Sequence, residues 1–358
     1  MKIVIEPQVY NNEILSSWLI RSSIKNGSEP SSWTTMIFND NKFWSKDPDR
    51  FIEDKEIYKL VKGCNKSFQE LKNMTLEPLY KKILGNDNLN SKKAWTFIIS
   101  TGQRGTYRRN GTYFCPLCLK NEKEFILRKE FRLAWNISCS IHKINLLQKC
   151  QKCDTNFTPY KITFDKAKPF LCTKCGFDLR KSNTKKPNEE VVIFQEKLND
   201  AIFNEKIDRN FPIVDLKVDE LFKTLRILLS FLRALMKTNK STTFLKKLNL
   251  EHLKKQLEEI KTSDNFEDME LKAREFYLLL VSRLFSLKIE DIKKIFKELD
   301  FTYKLVAKQS TLYSKTIDYI TKNLKVNSKN KDVVNTKEIT PKSKEEVKFL
   351  LEELKSCL

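Results

Sequence analysis

The chain has 358 residues, with 67 Lys and Arg against 46 Asp and Glu, a net charge of +21 and only two histidines. That length allows two or three domains with a proper core, so metal is not needed as the sole support. The charge excludes an ordinary near-neutral surface and points to a polyanion as the partner class, with a lysine-rich composition accounting for part of the excess. The opening MKIVIEPQVYNNE meets Glu6 before any apolar run of signal-peptide length. The most apolar later stretch, LRILLSFLRAL, is broken by Arg226 and Arg233, so secretory and membrane-spanning readings drop out and a cytoplasmic location is expected.

In chain order, the first element expected is a helix. Asn12 can cap it, Ile14, Leu15, Trp18, Leu19 and Ser22 share one face, and Gly27 can end it in the left-handed conformation. A second helix follows, with Ser28 or Ser31 as cap, Pro30 in its first turn, and Trp33, Ile37 and Phe38 as anchors. Two short helices joined through a glycine are compatible with a helix-turn-helix, and equally with any helical hairpin.

The next informative stretch is KKAWTFIISTGQRGTYRRNGTYFCPLC. It starts with Lys92 and Lys93 and alternates Arg104, Arg108 and Arg109 with Tyr107 and Tyr113 in a Gly-punctuated loop. Guanidinium forks suit phosphates and tyrosine rings can stack, so these five cations are the candidate nucleic-acid contacts; a solvated loop leading into a turn is the plain alternative.

Seven of the nine cysteines lie between positions 115 and 175, paired at two-residue gaps: Cys115 with Cys118, Cys139 with His142, Cys150 with Cys153, and Cys172 with Cys175. A two-residue gap lets one tight turn aim both ligand atoms at one ion, and two such turns make a tetrahedral zinc shell. Redox C-x-x-C pairs usually come singly in a thioredoxin-like setting, which is missing around these. Two zinc ions per chain are therefore expected, grouped sequentially as Cys115, Cys118, Cys139 and His142, then Cys150, Cys153, Cys172 and Cys175. A cross-braced grouping stays open. No H-x-E or H-E-x-x-H occurs, and four protein ligands fill each shell, so both sites read as structural and the protein as a non-enzyme. Between the halves of the first site, Leu127, Phe131, Ala134 and Trp135 recur at helical spacing, which predicts an amphipathic helix there. Cys64 and Cys357 read as ordinary residues, and His252 as a surface histidine.

KSNTKKPNEE, 181–190, reads as a polar linker. Past it, Leu221, Phe222, Leu225, Leu228, Leu229, Leu232, Leu235 and Met236 follow one helix face, and Leu278, Leu279, Ser282 and Phe285 continue the pattern. The segment from KIEDIKKIFKEL to SKTIDYI fits either a second helix-turn-helix or bundle packing. A flexible stretch near 325–343 precedes a last helix striped with Val347, Leu350, Leu351 and Leu354.

NEILSSWLIRSSIKNG, YFCPLCL, FRLAW and CSIHKINLLQKCQKC, in that order, resemble the TniQ family. The family pattern runs E-S-x-x-S-W-L-x-R, C-P-x-C, an aromatic-Arg segment, and C-x-x-H-x-x-x-L-x-x-x-C-x-x-C, and the likeness covers roughly residues 7 to 180. Ile14 stands where the family has the serine of E-S, Ile144 and Asn145 stand where many members have proline, and the C-terminal half carries no family motif. The resemblance places the family's zinc ligands on Cys115, Cys118, Cys139 and His142, with the other four cysteines resembling a second knuckle. It implies a non-catalytic adaptor that recognises a target site, on DNA directly or through a CRISPR RNA-guided complex, and recruits an AAA+ ATPase and then a transposase.

The expected architecture is mainly α with small zinc-knuckle or ribbon elements. Residues 1–112 form a helix-turn-helix-like region with the basic loop, 113–180 tandem zinc modules, and 181–358 a C-terminal helical domain. The expected function is target-site selection in transposition, with double-stranded DNA and an AAA+ ATPase as partners and a guide-RNA complex or a second copy of the chain as further candidates. An adaptor contacting mainly protein is the alternative, and a zinc enzyme on nucleic acid the third; an open zinc position beside a carboxylate would mark the last.

Overall fold

The first buried helix, α1 (Leu15–Lys25), is held by groups distant in sequence. The computed structural model describes residues 2–85, 95–104, 107–108, 112–164, 168–260 and 265–326, with 103, 104, 107 and 108 described by backbone alone. Leu15 to Ser23 of α1 are all buried, the small serines letting neighbours close in on every side. Asn12 does not cap this helix: it has φ 56°, Ile14 stands at the N-cap without a side-chain bond, and Asp49 Oδ1 accepts from Ser16 N at 2.7 Å instead. The other end behaves as expected. Gly27 takes φ +66° and donates to Ile24, while Ser28 donates to Ser23, the paired bonds of a Schellman turn.

Helix α2 (Pro30–Phe38) starts on Pro30, but neither serine caps it. Glu29 is at the N-cap, and Ser31 Oγ donates to the Tyr160 carbonyl. With α3 (Asp54–Val61) and α4 (Phe68–Asn73), these helices enclose a small core of Leu15, Trp18, Leu19, Trp33, Phe38, Ile57, Leu60 and Leu71.

The family-like motif at the N-terminus is turned inward. Glu13 accepts from Ser17 Oγ at 2.8 Å and from Arg21 Nε and Nη2 at 2.9 and 2.7 Å, and Trp18 Nε1 donates to the Pro7 carbonyl. Arg21 is also bonded to Glu124 and lies over the Tyr10 ring. A buried arginine needs partners on every side of its fork, and this one has them.

The stretch 122–136 is not the expected amphipathic helix. Only Lys129–Arg132 makes a single 3-10 turn. Leu127 accepts from Ile14 N and donates to Ser17 Oγ, and Lys129 N donates to the Asn12 carbonyl, so the backbone groups a helix would use internally are spent on the N-terminal arm. Leu127, Phe131, Ala134 and Trp135 are core all the same.

A second, larger core joins this segment to the C-terminal helices. Helices α5 (Glu77–Leu84), α6 (Pro116–Asn121), α7 (Glu189–Asn204) and α8 (Val218–Leu235) are followed by α9 (Ser241–Lys247), α10 (Lys254–Glu259) and α11 (Leu271–Phe285). Helices α12 (Ile289–Glu298), α13 (Tyr303–Ala307) and α14 (Lys315–Thr321) complete the described residues. Helix α8 is the hub, packed by α5, α11, α13 and α14. Phe97, Trp135 and Phe222 meet there, with ring centroids 4.8–5.9 Å apart. Arg274 of α11 is fully buried and has no ion-pair partner among the described residues; it donates to the Ala134 carbonyl and the Tyr113 hydroxyl. Buried Glu220 of α8 accepts from Ser314 Oγ and Thr316 N, both at 2.8 Å, and so caps α14 from a distant helix.

The expected α class with small metal-binding elements therefore holds, the only strands among the described residues being β1 (Gln103–Arg104) and β2 (Tyr107–Arg108). Met1–Val326 forms one compact unit. Of the flexible stretch near 325–343, only 325 and 326 are described, and the final helix stripe lies outside the described residues. The 182–188 stretch is not left hanging: Asn145 N donates to the Lys185 carbonyl and Asn183 N to Gln151 Oε1. No helix among the described residues is long and apolar enough to cross a membrane.

Candidate metal centres

Three of the four ligand pairs are built alike. In each, the first cysteine donates to the carbonyl five residues on: Cys139 to Ile144, Cys150 to Thr155, Cys172 to Phe177. Its own carbonyl accepts from the residue four on, Lys143, Asp154 or Gly176, at 2.9 Å in every case. That fourth residue is left-handed each time, with φ of 51°, 53° and 70°. Bridges Ser138↔Asn145, Lys149↔Asn156 and Leu171↔Asp178 close the three turns at the same offset. The result is a knuckle whose backbone amides face the sulfurs. Only one of the three uses glycine at the left-handed position, so that signal was faint in the sequence.

The fourth pair sits on a helix. Cys115 is the N-cap of α6 and Cys118 lies in its first turn, while Phe114 and Leu147 exchange backbone bonds that tie this arm to the knuckle.

The pairs converge sequentially. Ligand atoms of Cys115, Cys118, Cys139 and His142 all lie within 4.8 Å of one another, as do those of Cys150, Cys153, Cys172 and Cys175. In the first cluster, Sγ of Cys118 and Cys139 are 3.5 Å apart, and His142 Nδ1 is 3.4–3.6 Å from all three sulfurs. In the second, Cys150–Cys175 and Cys153–Cys172 are each 3.6 Å apart. Zinc bonds of about 2.3 Å to sulfur and about 2.0 Å to nitrogen at tetrahedral angles place sulfurs about 3.8 Å apart and sulfur and nitrogen about 3.5 Å apart, so both donor sets fit zinc. Without a cation the crowded thiols ionise unevenly: the bond with Cys115 holds Cys139 well below the ordinary thiol and the bond with Thr155 brings Cys153 down to about 6, while their neighbours are held above it. Burial pushes Cys150 up to about 12, with Cys175 and Cys172 adding to it, and the bonds it shares with Cys115 and Cys139 hold Cys118 well above the ordinary thiol.

The clusters differ in their surroundings. Around the first, Arg128 Nη1 donates to Cys118 Sγ at 3.6 Å while its Nη2 pairs with Glu122 at 2.7 Å, and the Asn121 amide lies 3.4 Å from His142 Nε2. These outer groups orient the ligands and offset thiolate charge. The three first-cluster cysteines are buried; in the second, Cys153 and Cys175 are half-exposed. Arg128 and Asn121 were invisible as site residues, because nothing in their spacing ties them to a cysteine ten and a histidine twenty-one residues away.

A buried ionic centre lies between the metal-binding region and α1. Arg132, the arginine of FRLAW, donates to Asp47 at 2.8 and 2.9 Å, to Asp49 at 3.0 Å and to the Ile99 carbonyl. All three charged residues are nearly inaccessible. Burial alone would raise both carboxyls; the Arg132 guanidinium holds Asp47 below the usual range, while Asp49 is pushed up to about 6.

Of the candidate nucleic-acid contacts, Arg104 and Arg108 lie on β1 and β2, paired Gln103↔Arg108 and Arg104↔Tyr107. Gly102 anchors the base of this hairpin, since a Cβ there would meet the Ser45 carbonyl at 2.5 Å. Arg109, Lys92 and Lys93 lie outside the described residues. His252 is exposed, as expected, Cys64 is a half-buried free thiol far from either set, and Cys357 is outside the described residues.

Residues 4–146 match the model of the TniQ family. No curated protein matches the chain.

Proposed function

We propose that this chain is a non-catalytic adaptor of the TniQ family that selects target DNA for a transposon-type element and recruits an AAA+ ATPase to it. The observation that carries the reading is the family match over 4–146, the segment that contains the whole first ligand cluster. The chemistry of the donor sets agrees with it. Zinc bound to four protein ligands supplies a cross-link rather than a reactive water. Cys115 and Cys118 would fix the start of α6 to the Cys139–His142 knuckle, and Cys150, Cys153, Cys172 and Cys175 would lock two further knuckles together. Such cross-links hold a shape for partners to read.

The basic hairpin is the proposed DNA contact, with Arg104, Arg108 and Arg109 as phosphate donors and Lys92 and Lys93 in support. Each phosphate neutralised contributes about 0.9 to the slope of log affinity against log salt, so changing the three arginines together to alanine should flatten the slope by up to about three units. Fluorescence anisotropy on duplex DNA across a salt series measures it, and an unchanged slope makes the hairpin structural. For the adaptor reading itself, tagged protein from its native host should retain an AAA+ ATPase. A protein that neither binds duplex DNA nor retains such a partner would sink it.

A further inference from the structure

Positive charge is concentrated in one part of the chain. Residues 143–188 carry eleven Lys and Arg against three Asp and no Glu, so 46 residues supply a surplus of eight positive charges. The described carboxylates there are already occupied: Asp154 pairs with Lys149 at 2.9 Å and Asp178 with Arg180 at 2.8 Å. Lys143 pairs outward with Glu196. Lys152, Lys174, Lys185 and Lys186 are exposed, and none has an ion-pair partner among the described residues.

The fold gathers these four. Lys152 and Lys174 occupy the same position in the two dipeptides that bracket the second cluster, Cys150-Gln-Lys-Cys153 and Cys172-Thr-Lys-Cys175, whose four sulfurs lie within 4.8 Å of one another. Lys185 and Lys186 follow directly on the segment that Gln151 grips, since Gln151 both accepts from Asn183 N and donates to the Asn183 carbonyl. Lys152 and Lys174 therefore lie on the second knuckle pair, and Lys185 and Lys186 on the segment that Gln151 of that pair and Asn145 of the first knuckle hold in place.

We infer that this second knuckle pair is a docking surface for the phosphate backbone of double-stranded DNA, separate from the Arg104–Arg109 hairpin. Four ammonium groups on flexible stems suit phosphate oxygens without reading base edges, a task that calls for planar guanidinium or amide groups. The surface fixes where the duplex lies and carries no sequence information. The inference rests on the DNA-binding reading above and names the surface through which binding occurs.

The test uses full-length, zinc-loaded protein and a labelled duplex of random sequence. Changing Lys152, Lys174, Lys185 and Lys186 together to alanine should reduce the salt slope by about 3.6, a loss of about 10³–10⁴-fold at 0.1 M salt if the 1 M intercept is unchanged. Changing all four to arginine should preserve the slope, because charge and not side-chain identity carries the contact. Zinc content and circular dichroism check that the knuckles persist. If the alanine variant loses zinc, the Lys185→Ala/Lys186→Ala pair, outside both ligand loops, should still remove about 1.8. Wild-type protein that binds with a steep slope while these variants match it would overturn the inference and leave the adaptor reading intact. Wild-type protein with no salt-dependent binding would overturn the DNA-binding reading as well.

Discussion

Replacing Cys118 with serine should unfold much of the protein, and replacing Cys153 should do far less. Both changes spoil a four-ligand set, and structural zinc contributes on the order of 10 kcal/mol to folding where no preformed site exists without it. The consequences differ because the clusters sit differently. Cys115, Cys118 and Cys139 belong to the large core with Phe114, Phe131 and Trp135, whereas Cys153 and Cys175 pack only at its edge. Loss of the first metal also leaves Arg128 beside a neutral thiol, still paired with Glu122. Wild-type protein should return two zinc ions per chain by metal analysis. Cys118→Ser should be insoluble or lack cooperative thermal unfolding; Cys153→Ser should stay folded with about one ion per chain. A soluble Cys118→Ser protein with full zinc content would show that the first cluster does not work this way.

The other large effect is expected at Arg132. Removing its side chain leaves Asp47 and Asp49 buried without their cation, and breaking a buried pair of this kind costs about 3–5 kcal/mol. Arg132→Ala should lower the denaturant midpoint accordingly. Asp49→Asn should be much milder, about 1 kcal/mol, because the amide oxygen still accepts from Ser16 N and one carboxylate suffices for one guanidinium. The two carboxyls also respond to pH in opposite senses. Asp49 is raised from 3.8 to about 6, so the folded state holds its proton more tightly than the unfolded chain does. Its contribution favours folding at low pH and is lost as pH rises from about 4 to about 6. Asp47 is held below its usual value, so its contribution is present at neutral pH and is lost only in stronger acid. Asp49→Asn should therefore flatten the stability change between about pH 4 and pH 7, measured by urea unfolding, and an identical pH profile in the variant would refute the assignment.

What the sequence made legible was what is local. The ligand pairs could be read because a two-residue gap is itself the geometric requirement; the order of the turns allowed a sequential or a cross-braced grouping, and the structure has the sequential one. Helices α8 and α11 could be read from apolar period alone. The failures share a cause. Asn12 has a capping side chain just ahead of an apolar period, but the group that serves α1 is Asp49, 33 residues from Ser16, whose amide donates to it. The stretch 122–136 has helical spacing, but its backbone bonds go to Asn12, Ile14 and Ser17, over a hundred residues back. Arg21 and Arg132 were visible as motif letters without their roles, since partners at 85 and 103 residues' separation leave no periodic trace.

The aromatic junction of Phe97, Trp135 and Phe222 has a consequence for synthesis. When residue 146, the end of the family segment, leaves the ribosome, Phe97 and Trp135 have been made, but the helix that packs on them has not. Phe222 is more than seventy residues away, and Arg274, which takes the Ala134 carbonyl, comes later still. Until α8 and α11 emerge, a tryptophan, a phenylalanine and the carbonyl of Ala134 face water or a chaperone. The nascent chain thus passes through a long interval in which its first set of metal ligands is complete and its core is not, and contacts this distant in sequence close slowly. Zinc captured early would hold the knuckles in register through that interval, making the ions aids to assembly as well as parts of the finished molecule.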